Sequence, residues 1–328
     1  VVFLGEDGPC QHVRSPESLL RTVVRSKGAP SRRRSAPGGG ATLGPMPIDP
    51  ALALSATIPP AHASWDADDV ILYHLGIGAG INRATDPAEL EYTYERNLKV
   101  LPSFGVIPVF DALLNMNSID GIDVNFALVL HGEQELVLHR PIPVNGSVES
   151  QVRVAGLYDK GKAGLVVLEV ESSDADGPLF TNRFSIFARG EGGFGGESGP
   201  KPGNPTPDRE PDAVVESPTM THQALLYRLS GDKNPLHADP EFAAIAGFET
   251  PILHGLCTYG AACKAVVDEM LDGDVTKVAR YQVRFSGVVI PGETIVTAMW
   301  DEGDRIVLTA ATEGRGDTVL SNAAVWLR

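Results

Sequence analysis

The chain has 328 residues, 43% apolar and 21% charged, a composition that supports a real hydrophobic core and one large domain or two ordinary ones. A formal net charge of −15 argues against a nucleic-acid partner, which requires a basic face for phosphate, and no run of 18 apolar residues offers a membrane span. Three cysteines (Cys10, Cys257, Cys263) are odd in number and lack metal-ligand spacing, which predicts a reducing compartment, the cytoplasm, and no disulfide framework.

Residues 1–45 differ in character from the rest of the chain. Seven Lys/Arg against three acids leave this stretch at +4 and the remainder at −19. It is Arg- and Ser-rich, as transit peptides are, but the simpler expectation is an extension without a folded role, and the fold is read from Met46 onward.

From there the same plan occurs twice. Tyr73-His-Leu-Gly-Ile-Gly-Ala-Gly80 is answered by Tyr227-Arg-Leu-Ser-Gly-Asp232. At a similar distance after each tyrosine come Val100-Leu-Pro-Ser-Phe-Gly105 and Ile252-Leu-His-Gly-Leu256. A proline-glycine turn region then precedes alternating segments in each half (Pro143 to Gly146; Pro291-Gly292). In the first half, strands are predicted around Val148–Val154 and Gly164–Glu171, joined by a turn at Tyr158-Asp-Lys-Gly161, and a third at Phe180–Phe187. The second half repeats this with Thr294–Trp300, a turn at Asp301–Asp304, Arg305–Thr312 and Val319–Leu327. A helix is predicted over Leu256–Leu271, with Lys264 and Asp268 outward. The expectation is therefore two similar α+β units, residues 46–190 and 213–328, joined by a flexible Gly/Pro-rich strap at 191–212.

Chemistry is concentrated in Tyr227-Arg-Leu-Ser-Gly-Asp-Lys-Asn-Pro-Leu-His237. Adding water to a C=C bond requires one group to take a proton from water and another to deliver one to carbon, and Asp232 with His237 can share those roles. Asn234 can orient them. The developing enolate oxygen of a thioester needs donors, and Gly255, where the long helix should begin, offers an N–H that a substrate oxygen can approach closely. Taken alone, Gly-Asp-x-Asn-Pro is also an ordinary turn, and spacing leaves both readings open. His254 alone reads as a partly buried helix-start residue bonded to backbone. His237, Asp239 and His254 do not have zincin-like spacing, so no metal is expected.

The full string Tyr-x-x-Ser-Gly-Asp-x-Asn-Pro-Leu-His-x5-Ala, ending at Ala243, resembles the signature of the MaoC-like (R)-specific enoyl-CoA hydratases. Ile252-Leu-His-Gly-Leu256 at the expected distance strengthens the likeness. It extends over Met46–Arg328 and is nearest to the two-unit type found as the hydratase part of peroxisomal multifunctional enzyme type 2. The resemblance implies a double hot-dog fold, two antiparallel sheets each wrapped on a central helix. It implies a reversible hydratase acting on trans-2-enoyl-CoA in β-oxidation of fatty acids or sterol side chains. It assigns Asp232 and His237 as catalytic pair, Asn234 as their support and the Gly255 N–H as polariser of the thioester carbonyl. His131, Gly132, Lys160 and Phe285 would contact the acyl-CoA, and no cofactor is implied.

The first half departs from the signature, placing Gly-Ala-Gly-Ile-Asn-Arg where the acid and histidine would fall, so one active site per chain is expected. Lys160 and Lys162 could attract CoA phosphates or be solvated turn lysines. Hot-dog proteins usually pair, which makes a homodimer the expected assembly. An acyl-CoA thioesterase and an inactive acyl-CoA-binding subunit remain the competing readings.

Overall fold

The computed structural model describes residues 48–114, 119–124, 129–201 and 203–328. The basic stretch 1–45 lies outside them, and so does Cys10.

Short capped helices open the first half. α1 (Pro50–Ser55) starts on the Asp49 carboxylate, and β1 (Ala61–Trp65) follows. α2 (Ala67–Gly76) begins with a reciprocal cap: Asp66 accepts from the Asp68 and Asp69 amides while Asp69 accepts from the Asp66 amide. α3 (Pro87–Thr93) and α4 (Phe110–Leu114) lead into four strands: β2 (Val129–Leu138), β3 (Gly146–Asp159), β4 (Ala163–Asp174) and β5 (Gly177–Arg189). The second half repeats the order with β6 (Ala213–Pro218), α5 (Gln223–Tyr227), α6 (Pro240–Ile245), α7 (Gly255–Met270), β7 (Val278–Phe285), β8 (Thr294–Asp301), β9 (Arg305–Thr312) and β10 (Thr318–Leu327).

The predicted turns fall where glycine is needed. Gly161 and Gly303 both adopt positive φ (77° and 87°) between paired strands. β3 shows the alternating burial of a half-buried strand, with Val148, Val152 and Val154 inward. α7 is buried on every side from Gly255 to Cys263, and Lys264 is nearly covered, so it carries little amphipathic signal.

One expectation needs correction. The strands do not form two sheets. They form one antiparallel sheet of ten strands in the order β1-β3-β4-β5-β2-β7-β10-β9-β8-β6. Read outward from its centre, the order is the same in both directions once each strand is matched to its repeat. The halves meet where β2 pairs with β7, from Glu133 opposite Arg284 to Val137 opposite Arg280. Two hot-dog sheets thus merge edge to edge, which satisfies strand edges that would otherwise be open. A charge ladder crosses this seam: Arg153 and Arg183 flank Glu169, Arg183 and Arg280 flank Glu135, and the Arg280 guanidinium lies 4.2 Å over the Trp326 ring.

The two repeated tyrosines face each other, Tyr73 and Tyr227, with ring centroids 6.1 Å apart. α2 and α5 approach so closely that a Cβ on Gly76 would lie 3.2 Å from the Tyr227 Cα, and Gln223 Nε2 donates to the Gly76 carbonyl at 2.6 Å. The counterpart of α7 in the first half is short, a single tight turn over Pro102–Val106 followed by α4.

The strap also departs from expectation. The described residues of 191–212 contain no helix or strand, yet several are tied down. Asp159 accepts hydrogen bonds from the amides of Gly193 and Gly195, Asn322 Nδ2 donates to the Gly203 carbonyl, and Trp300 Nε1 donates to the Arg209 carbonyl. Glycine composition signals conformational range, but each of these amides and carbonyls has found a fixed partner.

Candidate active site

α5 ends in a tight turn at Arg228–Ser230, and Gly231, at φ 136°, redirects the chain so that Asp232 follows at a sharp bend. The Asn234 amide donates to Asp232 Oδ1 at 3.0 Å, and Asn234 Oδ1 in turn accepts from the Leu236 amide at 3.0 Å. Asn234 therefore shapes the loop and fixes the acid by its backbone as much as by its side chain. Leu236 and Ala243 are fully buried against Ile252, so the apolar members of the signature anchor the loop to the segment before α7.

That segment carries the other half of the site. The Leu253 amide donates to the Val289 carbonyl at 2.8 Å, which fastens it to the chain after β7. His237 Nδ1–H donates to the Ile252 carbonyl at 2.8 Å. A carbonyl can only accept, so Nδ1 carries the proton and Nε2 is left as the basic atom. His237 is 1% exposed and Asp232 half-buried. Burial lowers the His237 pKa to about 4, against the opposing pull of Asp232.

Gly255 is the first residue of the 16-residue α7, and its N–H takes no hydrogen bond among the described residues. First-turn amides have no intrahelical acceptor, and the helix dipole adds positive potential there. The structure therefore gathers Asp232, Asn234, His237 and Gly255 around one bend. An acid, a neutral imidazole and an unpaired helix-terminal donor can together move protons and stabilise an oxyanion.

His131, Gly132 and Phe285 form a second group. His131 and Phe285 rings lie 4.9 Å apart, His131 Nε2–H donates to the Glu133 carbonyl, and the ring also meets Phe184 at 5.4 Å. His131 is buried, and burial lowers its pKa to about 3. Gly132 sits at a bulge where a Cβ would come 2.4 Å from the Phe187 ring, which would have to shift to admit any larger residue. Phe285 ends β7, four residues before Val289, whose carbonyl accepts from the Leu253 amide.

Lys160 is not brought into contact with either group. It lies in the β3–β4 hairpin, at the end of the sheet where β2 begins and β7 ends. Two to three strand spacings separate that hairpin from β2, about 9–14 Å. Asp159 beside it is held below the usual carboxylate range by the amides of Gly193, Gly195 and Gly161.

The structure adds His254 to the group of Asp232 and His237, a residue that the sequence alone suggests only as a helix start. Its Nε2–H donates to the Asp232 carbonyl, the backbone bond expected of it, but its ring also stacks on His237 at 3.7 Å. The only signal was its fixed place before Gly255. Asp232, His237 and His254 each have a ligand-type atom within 4.8 Å of the others. Asp239 is not part of it, because its carboxylate caps α6 by accepting from the Glu241 and Phe242 amides.

In the first half, the corresponding turn after Tyr73 supplies Gly78, Gly80 and Asn82 in left-handed conformations. The nearby His74 is engaged structurally, its Nδ1–H on the Tyr92 carbonyl and its Nε2 accepting from the Leu101 amide.

Comparison with known proteins matches two family models, one to each half of the chain. Residues 64–190 match the family model described as the MFE-2 hydratase 2 N-terminal domain, and residues 203–323 match the MaoC like domain. The enoyl-CoA hydratase ChsH3 of Mycobacterium tuberculosis is 46% identical over 84% of this chain and 97% of its own length. The peroxisomal multifunctional enzyme type 2 of Mus musculus is 41% identical over 83% of this chain, which spans 38% of that longer protein. The crystal structure of a MaoC-like dehydratase from Phytophthora capsici superposes with a TM-score of 0.77 at 32% identity, covering 86% of this chain and 98% of that one. The chain belongs to the MaoC-like hydratases of the two-unit, double hot-dog type, with the enoyl-CoA hydratases and the hydratase part of multifunctional enzyme type 2 among its relatives.

Proposed function

We propose that the chain is an (R)-specific 2-enoyl-CoA hydratase whose reaction is carried by Asp232, His237 and the Gly255 N–H. The observation that carries the reading is that the bend bearing Asp232 and His237 is bonded to the Ile252–His254 segment that leads into the amino end of α7. As the oxygen of water bonds to C3 of the enoyl thioester, one proton of that water passes to the pair. The pair returns a proton to C2, so the sum is addition of H and OH with nothing oxidised. His237 Nε2 is neutral at physiological pH and able to accept, and Asp232 beside it stabilises the imidazolium that forms. Negative charge gathers on the thioester oxygen in the transition state, where the Gly255 N–H and the helix dipole oppose it. Asn234 holds the loop.

CoA is part of the substrate, and the proposed chemistry calls for no cofactor or metal. His131, Gly132 and Phe285 would line its approach. Lys160, at the same end of the sheet, would meet the more distant phosphates, within reach of an extended CoA. The first half would supply acyl-chain space rather than chemistry. No helix among the described residues is long and apolar enough to cross a membrane. We further propose a homodimer acting in the cytoplasm, on the pairing habit of hot-dog units and the cysteine usage. Light scattering and cell fractionation test those two points.

The direct test mixes trans-2-enoyl-CoA with the protein and follows both the conjugated-thioester absorbance and free thiol. Loss of absorbance without thiol release supports the hydratase. Thiol release at the same rate would replace it with a thioesterase.

A further inference from the structure

His254 occupies the N-cap position of α7, yet its side chain makes no capping bond. It turns toward the Asp232 loop instead, with Nε2–H donating to the Asp232 carbonyl at 3.2 Å. Since a carbonyl only accepts, Nδ1 holds the lone pair. Nδ1 is buried and takes no hydrogen bond among the described residues. The ring is held between two others, stacked on His237 at 3.7 Å and 28°, with Tyr227 at 4.9 Å on a 51° tilt.

These contacts do not serve the helix. A helix start is satisfied at least cost by Ser, Thr, Asp or Asn, whose side chains reach the first-turn amides. A neutral imidazole with one buried nitrogen unsatisfied is a poor choice for stability, and such a group calls for another explanation. The His254 carbonyl accepts from the Cys257 and Thr258 amides as a helix start does, but these side-chain contacts are with the reacting pair or its flank. The Asp232 backbone is bonded, the His237 ring is backed, and the next residue along the chain is Gly255, whose N–H faces the thioester oxygen in the proposed mechanism. His254 therefore links acid, imidazole and oxyanion donor, beside the His237 bond to the Ile252 carbonyl and the packing of Leu236 and Ala243 on Ile252. Burial holds its own pKa down to about 2, so the ring stays neutral and does not compete for the proton.

We propose that His254 is a positioning residue for the hydration step: its Nε2–H bond to the Asp232 carbonyl and its stack on His237 set the spacing of the pair from the Gly255 N–H. The role rests on assigning the reaction to Asp232 and His237.

Two amide variants separate this role from a purely structural one. In His254→Gln the amide nitrogen reaches the place of Nε2 and can donate to the Asp232 carbonyl. In His254→Asn it stops one atom short. Both are polar and smaller than the ring, so both are expected to fold with similar thermal midpoints. The expected result is kcat for hydration of trans-2-enoyl-CoA falling in both, by about tenfold more in Asn than in Gln, with KM within about threefold of wild type. The acid limb of the kcat/KM profile, which reports the pair, should move in both variants because the ring backing His237 is gone. Equal kcat in the two variants, a loss confined to KM, or a loss that tracks the fraction folded would overturn the proposal. Asp232→Asn in the same assay keeps the two claims apart. Full activity there withdraws the site itself, whereas inactivity there with both His254 variants at the wild-type rate overturns the His254 role alone.

Discussion

Among the described residues four histidines are buried as neutral rings, and together they make the fold acid-sensitive in a defined window. Burial lowers His74 to about 4, His131 to about 3, His237 to about 4 and His254 to about 2. In the unfolded chain each would titrate near its ordinary value of about 6.5. A folded-state pKa below the unfolded one means that the folded chain binds fewer protons. The stability is present above pH 6.5 and is lost as pH falls toward the folded values. Each group removes about 1.4 kcal/mol per pH unit in that window, roughly 5 kcal/mol per unit for the four. A drop from pH 7.5 to 5.5 then costs roughly 5–6 kcal/mol, comparable with the whole stability of an ordinary domain at about 5–15 kcal/mol. The carboxylates held low by partners, such as Asp159, Asp174 and Asp212, titrate below their ordinary range and so add their losses at lower pH. Urea unfolding followed by circular dichroism at pH 7.5, 6.5 and 5.5 measures the effect. His74→Gln, which lies outside the proposed site, should remove about one proton from the slope. A stability that is flat or rising between pH 7.5 and 5.5 would refute the reasoning.

Three further outcomes are expected from specific contacts. Gly260→Ala places a Cβ 2.6 Å from both Tyr73 Oη and the Ile77 Cγ2, and should destabilise by about 1–3 kcal/mol, read as a lower denaturation midpoint. Glu169→Ala leaves Arg153 and Arg183 without their shared, 2%-exposed carboxylate; since both arginines are half-exposed, the cost should stay near 1–3 kcal/mol, and the midpoint should become less sensitive to salt. Gly255→Pro removes the helix-terminal N–H at a position where proline suits a helix start and where His254, at ψ 134°, already has the backbone a following proline requires. It should lower kcat by about 10²–10³-fold while α7 persists by circular dichroism.

Much of the fold and site was readable from residues alone. The repeat, the hairpins at Asp159–Gly161 and Asp301–Asp304, and the start of α7 at Gly255 are local properties, set by turn chemistry and periodicity. The Tyr227–Ala243 string was legible because its polar members shape a loop and its apolar members, Leu236 and Ala243, anchor it. What could not be read depends on distant partners. β2 hides its strand character because a bulge between His131 and Glu133 breaks the alternation, and Gln134, Glu135 and Leu136 are all buried. The merging of two sheets into one is decided by a β2–β7 pairing between residues as much as 151 positions apart in sequence, Glu133 and Arg284. The strap read as flexible because its glycines carry no side-chain signal, while its fastening comes from Asp159, Trp300 and Asn322 elsewhere. His254 was undervalued for the same reason: its neighbour in space, His237, is 17 residues away, and stacking leaves no periodic trace.

The most direct measurement is the hydration of trans-2-enoyl-CoA by the wild-type chain, with the handedness of the 3-hydroxyacyl product resolved, beside Asp232→Asn and His237→Gln. The account predicts rapid formation of the (R) product by wild type and a loss of about 10²-fold or more in both variants, with circular dichroism unchanged. An (S) product, no hydration across short and long acyl chains, or two variants that keep the wild-type rate would contradict it.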